Sequence, residues 1–299
     1  MPKEKSLTTQ VGRLFLDNPV IIASGVCSFG EENVFVLNKV GGVVFKTVTL
    51  LPREGNPPPR VVDFGYGVLN SIGLENPGVE GLKEKLNYIK KVKSVRIGSF
   101  LGFGEEEFVI ILEKLEKYKV FDAYEVNLSC PNVKKGSWFY EIKKLSKLLK
   151  ILRDKTEKPL IAKLSPETDV VKVAELCKRY NYDGVTIANT YTGVAVNIEK
   201  QSFCLGNIVG GMSGPAIKPL TLRLVYEVKK NVGIDIVGSG GVVEGKDAVE
   251  YFLVGASAVE IGCGYFRDPV LPLKVKKYIV EYLRKKDVEL KDIVGKMVS

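Results

Sequence analysis

The sequence has 299 residues, of which 45% are hydrophobic and 26% charged, and its formal net charge is +9. The length suits one domain over residues 1–299. No apolar run approaches the roughly 20 residues that cross a bilayer, and no signal-peptide segment follows the N-terminus, so we expect a cytoplasmic protein without membrane contact. The excess Lys and Arg residues are scattered at helical spacing without interleaved aromatic residues, which indicates solvated helix faces and no nucleic-acid partner.

The predicted elements alternate between strands and helices along most of the chain. A short hairpin over residues 7–17 comes first and is expected to cap the lower mouth of a barrel. Val- and Ile-rich runs predict eight strands, at residues 19–24, 42–49, 95–100, 123–129, 160–165, 184–190, 234–239 and 258–262. Amphipathic stretches predict helices at residues 105–118, 139–153, 169–180, 220–231 and 245–253. Such alternation requires a parallel sheet, and eight units that close on themselves make a (β/α)8 TIM barrel of the α/β class.

Two connections are much longer than the others, at residues 50–87 and 191–219. Both leave from the C-terminal ends of strands, which is the face of a barrel that carries active sites. We therefore expect both segments to be insertions that roof a pocket. After the eighth strand, residues 270–285 predict a closing helix and residues 287–299 a second, short helix.

The run Asn127-Leu128-Ser129-Cys130-Pro131-Asn132 follows the fourth predicted strand. Pro131 cannot donate to a sheet ladder, so the strand should end near Ser129 and leave Cys130 at its C-terminal end. An isolated cysteine is often only a small buried residue at a turn. Here two amides and a hydroxyl flank the thiol, which suits a site that binds a small polar molecule beside a reactive sulfur.

Cysteine spacing and the absence of histidine exclude several chemistries. The nearest of the five cysteines, Cys177 and Cys204, are 27 residues apart, so no C-x-x-C pair exists for zinc, an iron–sulfur cluster or a redox disulfide. Ser-His-Asp and Cys-His schemes need a histidine, and the sequence has none. A catalytic base must therefore be Cys, Asp, Glu, Lys or Tyr, and any iron–sulfur centre must belong to another chain.

Two glycine clusters follow the last two predicted strands, Gly238-Ser239-Gly240-Gly241 and Gly262-Cys263-Gly264. In such barrels these loops commonly hold a phosphate through backbone N–H groups, and glycine lets the main chain approach the anion closely. One glycine cluster alone is often only a turn, but two at these strands predict a phosphate-bearing ligand in the barrel mouth. The run Gly210-Gly211-Met212-Ser213-Gly214-Pro215 offers further backbone donors.

Two lysines stand within apolar strands, Lys46 on the second and Lys163 on the fifth. An inward-facing charge in a barrel strand is costly unless it meets an anionic partner, although a lysine at a strand end can also extend to solvent. Two such lysines predict an acidic ligand.

Amide and hydroxyl side chains recur on the same face of the predicted barrel. Asn70 lies in the first insertion and Asn189-Thr190 ends the sixth strand. Singly these residues are common turn formers. With Asn127 and Asn132 they could bind a planar molecule rich in carbonyl and N–H groups, because an amide offers both a donor and an acceptor.

Taken together, these motifs resemble the soluble, FMN-containing dihydroorotate dehydrogenases over nearly the whole chain. The matching features are Asn18-Pro19, Ala23-Ser24-Gly25, Lys46-Thr47, residues 70–78, residues 127–132, Lys163, Asn189-Thr190, Ser213-Gly214-Pro215-Ala216 and the two late glycine loops. Residues 55–60 and 131–136 resemble the NAD-linked branch of the family more than the fumarate-linked branch. In the NAD-linked branch a separate subunit that carries FAD and an iron–sulfur cluster passes electrons to NAD⁺, which implies a homodimeric core within a heterotetramer.

The resemblance implies one FMN per chain and specific roles in oxidising (S)-dihydroorotate to orotate for pyrimidine (UMP) biosynthesis. Cys130 would take the proton from C5 while hydride passes from C6 to flavin N5, and Lys163 would stabilise the negative charge of the reduced ring near N1. The implied substrate-binding residues are Lys46, Asn70, Ser71, Ile72, Gly73, Leu74, Asn127, Asn189 and Thr190. The implied cofactor-binding residues are Ser24, Lys46, Thr47, Ser99, Asn127, Lys163, Ala188, Gly214, Gly240, Gly241, Gly262 and Cys263.

The chain departs from the family pattern at two positions. After the third strand, Ser99 stands near the place where the family usually has an asparagine, and Cys263 replaces a common threonine. Three alternatives stay open at this point: a fumarate-linked dihydroorotate dehydrogenase, a dihydropyrimidine dehydrogenase-like subunit that reduces uracil or thymine, and a barrel that acts on tRNA uridines. Lys46 favours the dihydroorotate enzymes, because a cation suits a substrate with a carboxylate.

Overall fold

A computed structural model describes residues 6–31, 33–129 and 141–298, so the predicted base Cys130 lies outside the described residues. The strands are, in chain order, β1 (Thr9–Val11), β2 (Leu14–Leu16), β3 (Val20–Ile22), β4 (Gly42–Val44), β5 (Val61–Asp63), β6 (Val68–Asn70), β7 (Val95–Phe100), β8 (Ala123–Asn127), β9 (Leu160–Lys163), β10 (Gly184–Ile187), β11 (Tyr191–Val194), β12 (Val196–Asn197), β13 (Ser202–Phe203), β14 (Val209–Ser213), β15 (Ile236–Ser239) and β16 (Ala258–Ile261). The α-helices are α1 (Val34–Leu37), α2 (Gly78–Gly81), α3 (Leu86–Ile89), α4 (Glu105–Tyr118), α5 (Ile142–Asp154), α6 (Val170–Arg179), α7 (Lys218–Asn231), α8 (Gly245–Leu253), α9 (Gly264–Arg267) and α10 (Leu271–Lys286).

Eight parallel strands close into a barrel in the order β3-β4-β7-β8-β9-β10-β15-β16. Each of the eight predicted strands forms one of these barrel strands, so the predicted (β/α)8 fold is confirmed. Several strands end earlier than predicted. The second ends at Val44, because the backbone N–H of Lys46 donates to the carbonyl of Ser28 instead of continuing the ladder.

The N-terminal hairpin of β1 and β2 closes the lower end of the barrel. Its Val11, Leu14 and Leu16 pack inside the barrel against Ile21 and other apolar residues of the barrel strands. At the same end the backbone N–H of Gly12 donates to Asp235 Oδ2 at 2.8 Å. The hairpin therefore caps the lower mouth of the barrel, as the sequence predicts.

The two long insertions meet in one sheet above the upper end of the barrel. Its order is β11-β14-β6-β5, with all pairs antiparallel, so two neighbouring strands come from residues 191–219, two from residues 50–87, and the β14–β6 pair joins the two insertions. In this sheet Asn70 stands opposite Gly211 on one side and Val61 on the other. The pairing fixes the roof of the cavity described below.

The helices pack outside the barrel by their apolar faces. In α5, for example, Leu145, Leu148, Leu149 and Leu152 recur at three- and four-residue spacing and are buried. None of the helices in the described part of the chain is long and apolar enough to span a membrane.

The predicted helix at residues 270–285 is confirmed as α10, but the prediction for residues 287–299 is wrong. Up to residue 298 that stretch contains one short 3₁₀ helix, Leu290–Asp292. Gly295 has φ of 75°, in the left-handed region that a continuous helix cannot use.

Candidate active site

The upper end of the barrel holds a cavity of about 790 Å³ under the roof sheet. Ligand sites commonly have volumes of about 300–1,000 Å³. The predicted site residues that line it are Ser24, Lys46, Thr47, Asn70, Ser71, Ile72, Gly73, Leu74, Asn127, Lys163, Ala188, Asn189, Thr190, Gly214, Gly240, Gly241, Gly262 and Cys263. The structure thus brings together every predicted site residue except Ser99, which lies below the cavity, and Cys130 and Asn132, which are outside the described residues. Their individual roles stay predictions.

Lys46 follows β4 and reaches the cavity wall as a partly buried cation. Within the described ranges its Nζ forms no hydrogen bond or ion pair. Burial lowers the pKa of Lys46, and the nearby Glu75 carboxylate opposes that shift. A lysine in this state gains from an anionic ligand, because the anion would supply the compensation that the protein does not.

Lys163 ends β9 on the floor of the cavity and is held by carboxylates from two other strands. Its Nζ lies 2.6 Å from Glu260 Oε2 and 3.9 Å from Glu125 Oε2. Burial alone would lower the pKa of Lys163, but the two glutamates outweigh it and raise this pKa above the ordinary lysine value. Lys163 therefore presents a permanent positive charge to the cavity.

A network of hydroxyl and amide groups joins the ends of four barrel strands, β3, β4, β7 and β8, beside Lys163. Ser24 Oγ lies 3.1 Å from Thr47 Oγ1, which lies 2.8 Å from Ser99 Oγ, and Asn127 Nδ2 donates to Thr47 Oγ1 at 3.4 Å. The Asn127 Oδ1 atom accepts from the backbone N–H of Ser129 at 3.0 Å, which fixes the orientation of the amide. Ser99 thus supports Thr47 from below and does not itself face the cavity.

Two further amides line the same cavity, Asn70 from the roof sheet and Asn189 from the segment that follows β10. Asn70 Nδ2 donates to the carbonyl of Gly211 across the β6–β14 pair at 3.3 Å, which aligns the side chain with the roof. Asn189 Oδ1 accepts from the backbone N–H of Thr190 at 2.8 Å. Asn70, Asn127 and Asn189 therefore line one cavity from three different elements.

The glycine loops after β15 and β16 supply free backbone donors. Within the part of the chain that the structure describes, the N–H groups of Gly240, Gly241, Gly262 and Cys263 donate to no protein acceptor. Gly241 has φ of 69°, a conformation that side-chain-bearing residues rarely adopt. A Cβ atom at Gly262 would meet only Ala23 Cβ, at 3.9 Å. The loops therefore leave donors and open space where a phosphate was predicted.

Glu125 and Glu260 were missed at the sequence level. Each is 1% exposed, and together they surround Lys163. Each also stands alone within an apolar strand, in Ala123-Tyr124-Glu125-Val126 and Ala258-Val259-Glu260-Ile261. The same signal that identified Lys46 and Lys163, an isolated charge in a barrel strand, could have found them.

Known proteins are similar to this chain over nearly its whole length. A family model described as dihydroorotate dehydrogenase matches residues 6–283. Curated relatives named dihydroorotate dehydrogenase B (NAD(+)), catalytic subunit, include one from Geobacter metallireducens, 37% identical over 300 residues and covering 98% of both chains, and one from Geotalea daltonii, 38% identical over 296 residues and covering 97% of both. Among solved structures, ligand-free DHODH from Eimeria tenella shares the fold, with a TM-score of 0.84 and 21% identity over 100% of this chain and 94% of that chain. The chain belongs to the dihydroorotate dehydrogenase family.

Proposed function

We propose that this chain is the catalytic subunit of an NAD-linked dihydroorotate dehydrogenase, which oxidises (S)-dihydroorotate to orotate in pyrimidine biosynthesis. One observation carries this function. In a chain of this family, Lys46, Lys163 and two glycine loops face a single cavity. Among the described residues the Lys46 cation has no ion-pair partner and the N–H groups of these loops have no acceptor. Lys46 suits a substrate that bears a carboxylate, and the glycine loops suit a cofactor that bears a phosphate.

The residues that line the cavity fit FMN. The N–H groups of Gly240, Gly241, Gly262 and Cys263 would hold its phosphate at the loops after β15 and β16, which lie across the barrel from β7 and β8. The ring would contact the other predicted cofactor residues that line the cavity, which are Ser24, Lys46, Thr47, Asn127, Lys163, Ala188 and Gly214, whereas Ser99 does not line it. When bound, FMN supplies the acceptor for a hydride, and Lys163 contributes the positive charge that favours its reduced form.

Substrate orientation would come from Lys46 and the amides. Lys46 would pair with the carboxylate of dihydroorotate, because Lys46 has no ion-pair partner among the described residues. Asn70, Asn127, Asn189 and Thr190 would hydrogen-bond the carbonyl and N–H groups of the pyrimidine ring. Ile72 and Leu74, which line the cavity from the first insertion with Ser71 and Gly73, would exclude water above the ring.

Cys130 is the residue that we propose as the base that removes the C5 proton. It lies outside the described residues, so its role rests on the family resemblance. The residue before it, Ser129, lines the cavity, and Ser129 Oγ donates to the carbonyl of Lys163 at 3.1 Å. A free thiol has a pKa of about 8.5, so catalysis at neutral pH requires some activation of the thiol.

The physiological electron acceptor is proposed from the relatives. Their printed name, catalytic subunit of an NAD(+) enzyme, supports a separate partner for this chain. We propose that this partner carries FAD and an iron–sulfur cluster and joins a homodimer of the present chain in a heterotetramer. The cytoplasmic location stays a prediction.

The first experiment tests cofactor and base together. Purified protein should carry FMN, which is seen in its absorbance, and anaerobic dihydroorotate should bleach it. Cys130→Ala should keep the bound FMN and lose nearly all of the bleaching, while Cys177→Ala, a buried cysteine between α6 and the barrel, should keep both. Full bleaching in Cys130→Ala would remove that thiol from the mechanism.

A second experiment separates the alternatives. Dihydroorotate should reduce the flavin far faster than dihydrouracil, which lacks the carboxylate, and the reverse preference would identify a dihydropyrimidine dehydrogenase. Assays with NAD⁺ and with fumarate, each with and without the candidate partner, identify the electron acceptor. A colourless protein with salt-sensitive RNA binding would instead support the tRNA-modifying alternative.

A further inference from the structure

Three charged side chains, which we call the barrel trio, meet inside the barrel beneath the cavity: Lys163 on β9, Glu125 on β8 and Glu260 on β16. They are 7%, 1% and 1% exposed, respectively. Lys163 Nζ is 2.6 Å from Glu260 Oε2 and 3.9 Å from Glu125 Oε2. Lys163 lines the cavity and the two glutamates do not, so the carboxyl groups act on a ligand there through Lys163.

One ammonium cannot balance two carboxylates. If both glutamates were ionised, the trio would carry a net charge of −1 with almost no access to solvent, and an uncompensated buried charge is costly. Carboxyl groups that share a buried site avoid this cost by retaining a proton. Burial raises the pKa of Glu125 to about 8, while Lys163 opposes the rise and Glu260 adds to it. Glu260 is the better placed counter-ion, because it makes the short contact to Lys163.

A chain of hydroxyl groups connects Glu125 to the cavity. Ser99 Oγ donates to Glu125 Oε1 at 3.3 Å, Thr47 Oγ1 lies 2.8 Å from Ser99 Oγ, and Thr47 lines the cavity. On the other side, Thr186 Oγ1 donates to Glu125 Oε2 at 3.2 Å. Because a hydroxyl both donates and accepts, this chain can carry a proton between the cavity and Glu125.

We propose that Glu125 is a positioning residue that holds one proton for the whole trio, keeps Lys163 paired with Glu260 alone, and exchanges this proton with the cavity through Ser99 and Thr47. With the O–H bond formed on Glu125 the trio is neutral. When the proton leaves toward the cavity, Glu125 becomes a carboxylate and the trio carries −1. The charged groups that face Glu125 in the described chain are Lys163 from β9 and Glu260 from β16, and its neutral partners are Ser99 from β7 and Thr186 from β10.

This inference rests on the proposed function, because its consequence is felt by a flavin bound in the cavity. A reduced flavin carries added negative charge. A neutral trio with a fully charged Lys163 favours that state, and a trio with ionised Glu125 opposes it. The reduction potential of bound FMN should therefore depend more steeply on pH once the solution is alkaline enough to remove the proton from Glu125.

The test measures the reduction potential of bound FMN against pH in the wild type and in Glu125→Gln. Glutamine resembles the protonated carboxyl, so at neutral pH the equilibrium between oxidised and reduced FMN should stay within about threefold of the wild type. In alkaline solution the equilibrium constant for reduction of bound FMN should be at least about tenfold lower in the wild type than in the variant. This corresponds to a reduction potential that is about 30 mV lower for a two-electron couple. Glu113→Gln, the same change at an exposed position of α4, is the control and should follow the wild type throughout.

The second glutamate gives an independent reading. In Glu260→Gln, Glu125 should ionise and replace the lost counter-ion, so the potential at neutral pH should change little. The double variant leaves Lys163 without a carboxylate, and its equilibrium should move at least about tenfold toward reduced FMN. Such non-additivity is expected only if one of the two carboxyl groups is protonated in the wild type.

Several results would overturn this inference while leaving the proposed function intact. If the FMN equilibrium of Glu125→Gln differed tenfold from that of the wild type at neutral pH, Glu125 would be ionised in the wild type at that pH. If the plot of reduction potential against pH had the same alkaline slope in both proteins, Glu125 would not titrate in this range. If the glutamine variants fail to fold, Thr186→Val serves instead. This change removes a hydrogen-bond donor to the Glu125 carboxylate, so the pH range in which the reduction potential falls most steeply should move to higher pH. If that pH range does not move, the result counts against the proposal.

Infrared spectroscopy of the flavin-free protein separates the two hypotheses. The difference between wild type and Glu125→Gln should contain the C=O stretch of a carboxylic acid at neutral pH, whether or not the chain oxidises dihydroorotate. A protein that binds no FMN would refute the proposed function, whereas a missing carboxylic acid band would refute the protonated Glu125.

Discussion

Lys46 and Lys163 line the same cavity, but the protein balances their charges differently. Lys163 is paired with Glu260, with Nζ 2.6 Å from Oε2, whereas Lys46 has no such partner among the described residues. Lys163 is therefore held in one place by the barrel itself. Among the described residues Lys46 has no such partner, and this difference supports our proposal that Lys163 favours the reduced cofactor while Lys46 pairs with the carboxylate of the substrate.

Lys46→Met keeps most of the apolar stem and removes the charge. We expect kcat/KM for dihydroorotate to fall about 10- to 100-fold, because a hydrogen bond to a charged group contributes about 1.5–3 kcal/mol. Slow turnover of dihydrouracil, which has no carboxylate, should not change. Lys144→Met, at an exposed lysine paired with Glu141, is the control and should affect neither substrate. An equal loss for both substrates would contradict a carboxylate-binding role for Lys46.

The barrel could be predicted from the sequence because each of its strands and helices has a recognisable pattern within its own short stretch of sequence. Each barrel strand is a short Val- and Ile-rich run, and the helices between them have apolar residues at three- and four-residue spacing. The roof sheet could not be predicted in this way. Its β6 is three residues long and β14 contains two glycines, and the β6–β14 pair that holds the sheet together joins residues 140 or more positions apart in the sequence.

The site was predictable to the extent that its residues look out of place. Lys46 and Lys163 interrupt apolar strands, and the glycine loops follow the strands where a barrel holds phosphate. Depth along the barrel axis cannot be read from the sequence in the same way. Ser99 was predicted to contact the flavin directly. In the structure Ser99 lies below the cavity wall and contacts Glu125, so its contact with the flavin stays a prediction.

Glu125 should also affect stability in a pH-dependent manner. Because its pKa is raised in the folded protein, its stabilising contribution is fully present below the pKa of the unfolded chain and is lost as pH rises through about 8. Relative to Glu125→Gln, the wild type should lose up to about 1.4 kcal/mol of unfolding free energy per pH unit between about pH 5 and about pH 8. Urea unfolding of the flavin-free proteins measures this difference, and parallel curves for the two proteins would contradict it.

Arg13 should anchor the N-terminal hairpin to the barrel. Its Nε donates to Asp183 Oδ1 at 2.8 Å and its Nη2 to Oδ2 at 2.9 Å, just before β10. Arg13→Gln should cost about 1–2 kcal/mol of unfolding free energy, allowing for the half-exposed guanidinium. Arg223→Gln on the surface of α7, which breaks a pair with Glu227, should cost about 0.5 kcal/mol or less. Equal effects in urea unfolding would show that the hairpin is held by its apolar residues alone.

The Arg13 pair should matter less in acid. Burial alone would raise the pKa of Asp183, but the hydrogen bonds from Arg13 and the backbone lower it overall. The stabilisation is therefore present above the pKa of the unfolded aspartate and is lost as pH falls through the folded value. The difference between wild type and Arg13→Gln should shrink on acidification, and a constant difference would contradict the ion pair as its source.

Gly262→Ala tests whether a cofactor occupies the space beside the last glycine loop. A Cβ atom there meets only Ala23 Cβ, at 3.9 Å, so the flavin-free protein should fold with unchanged stability. The added methyl group should instead meet the cofactor and weaken FMN binding about 10- to 100-fold, because overpacking a fitted site costs about 1–3 kcal/mol. Gly104→Ala, where a Cβ atom would have no neighbour within 4 Å and which lies outside the cavity lining, is the control and should bind FMN as the wild type does. Isothermal titration of the flavin-free proteins with FMN gives both affinities, and equal values for Gly262→Ala and wild type would place the cofactor away from this loop.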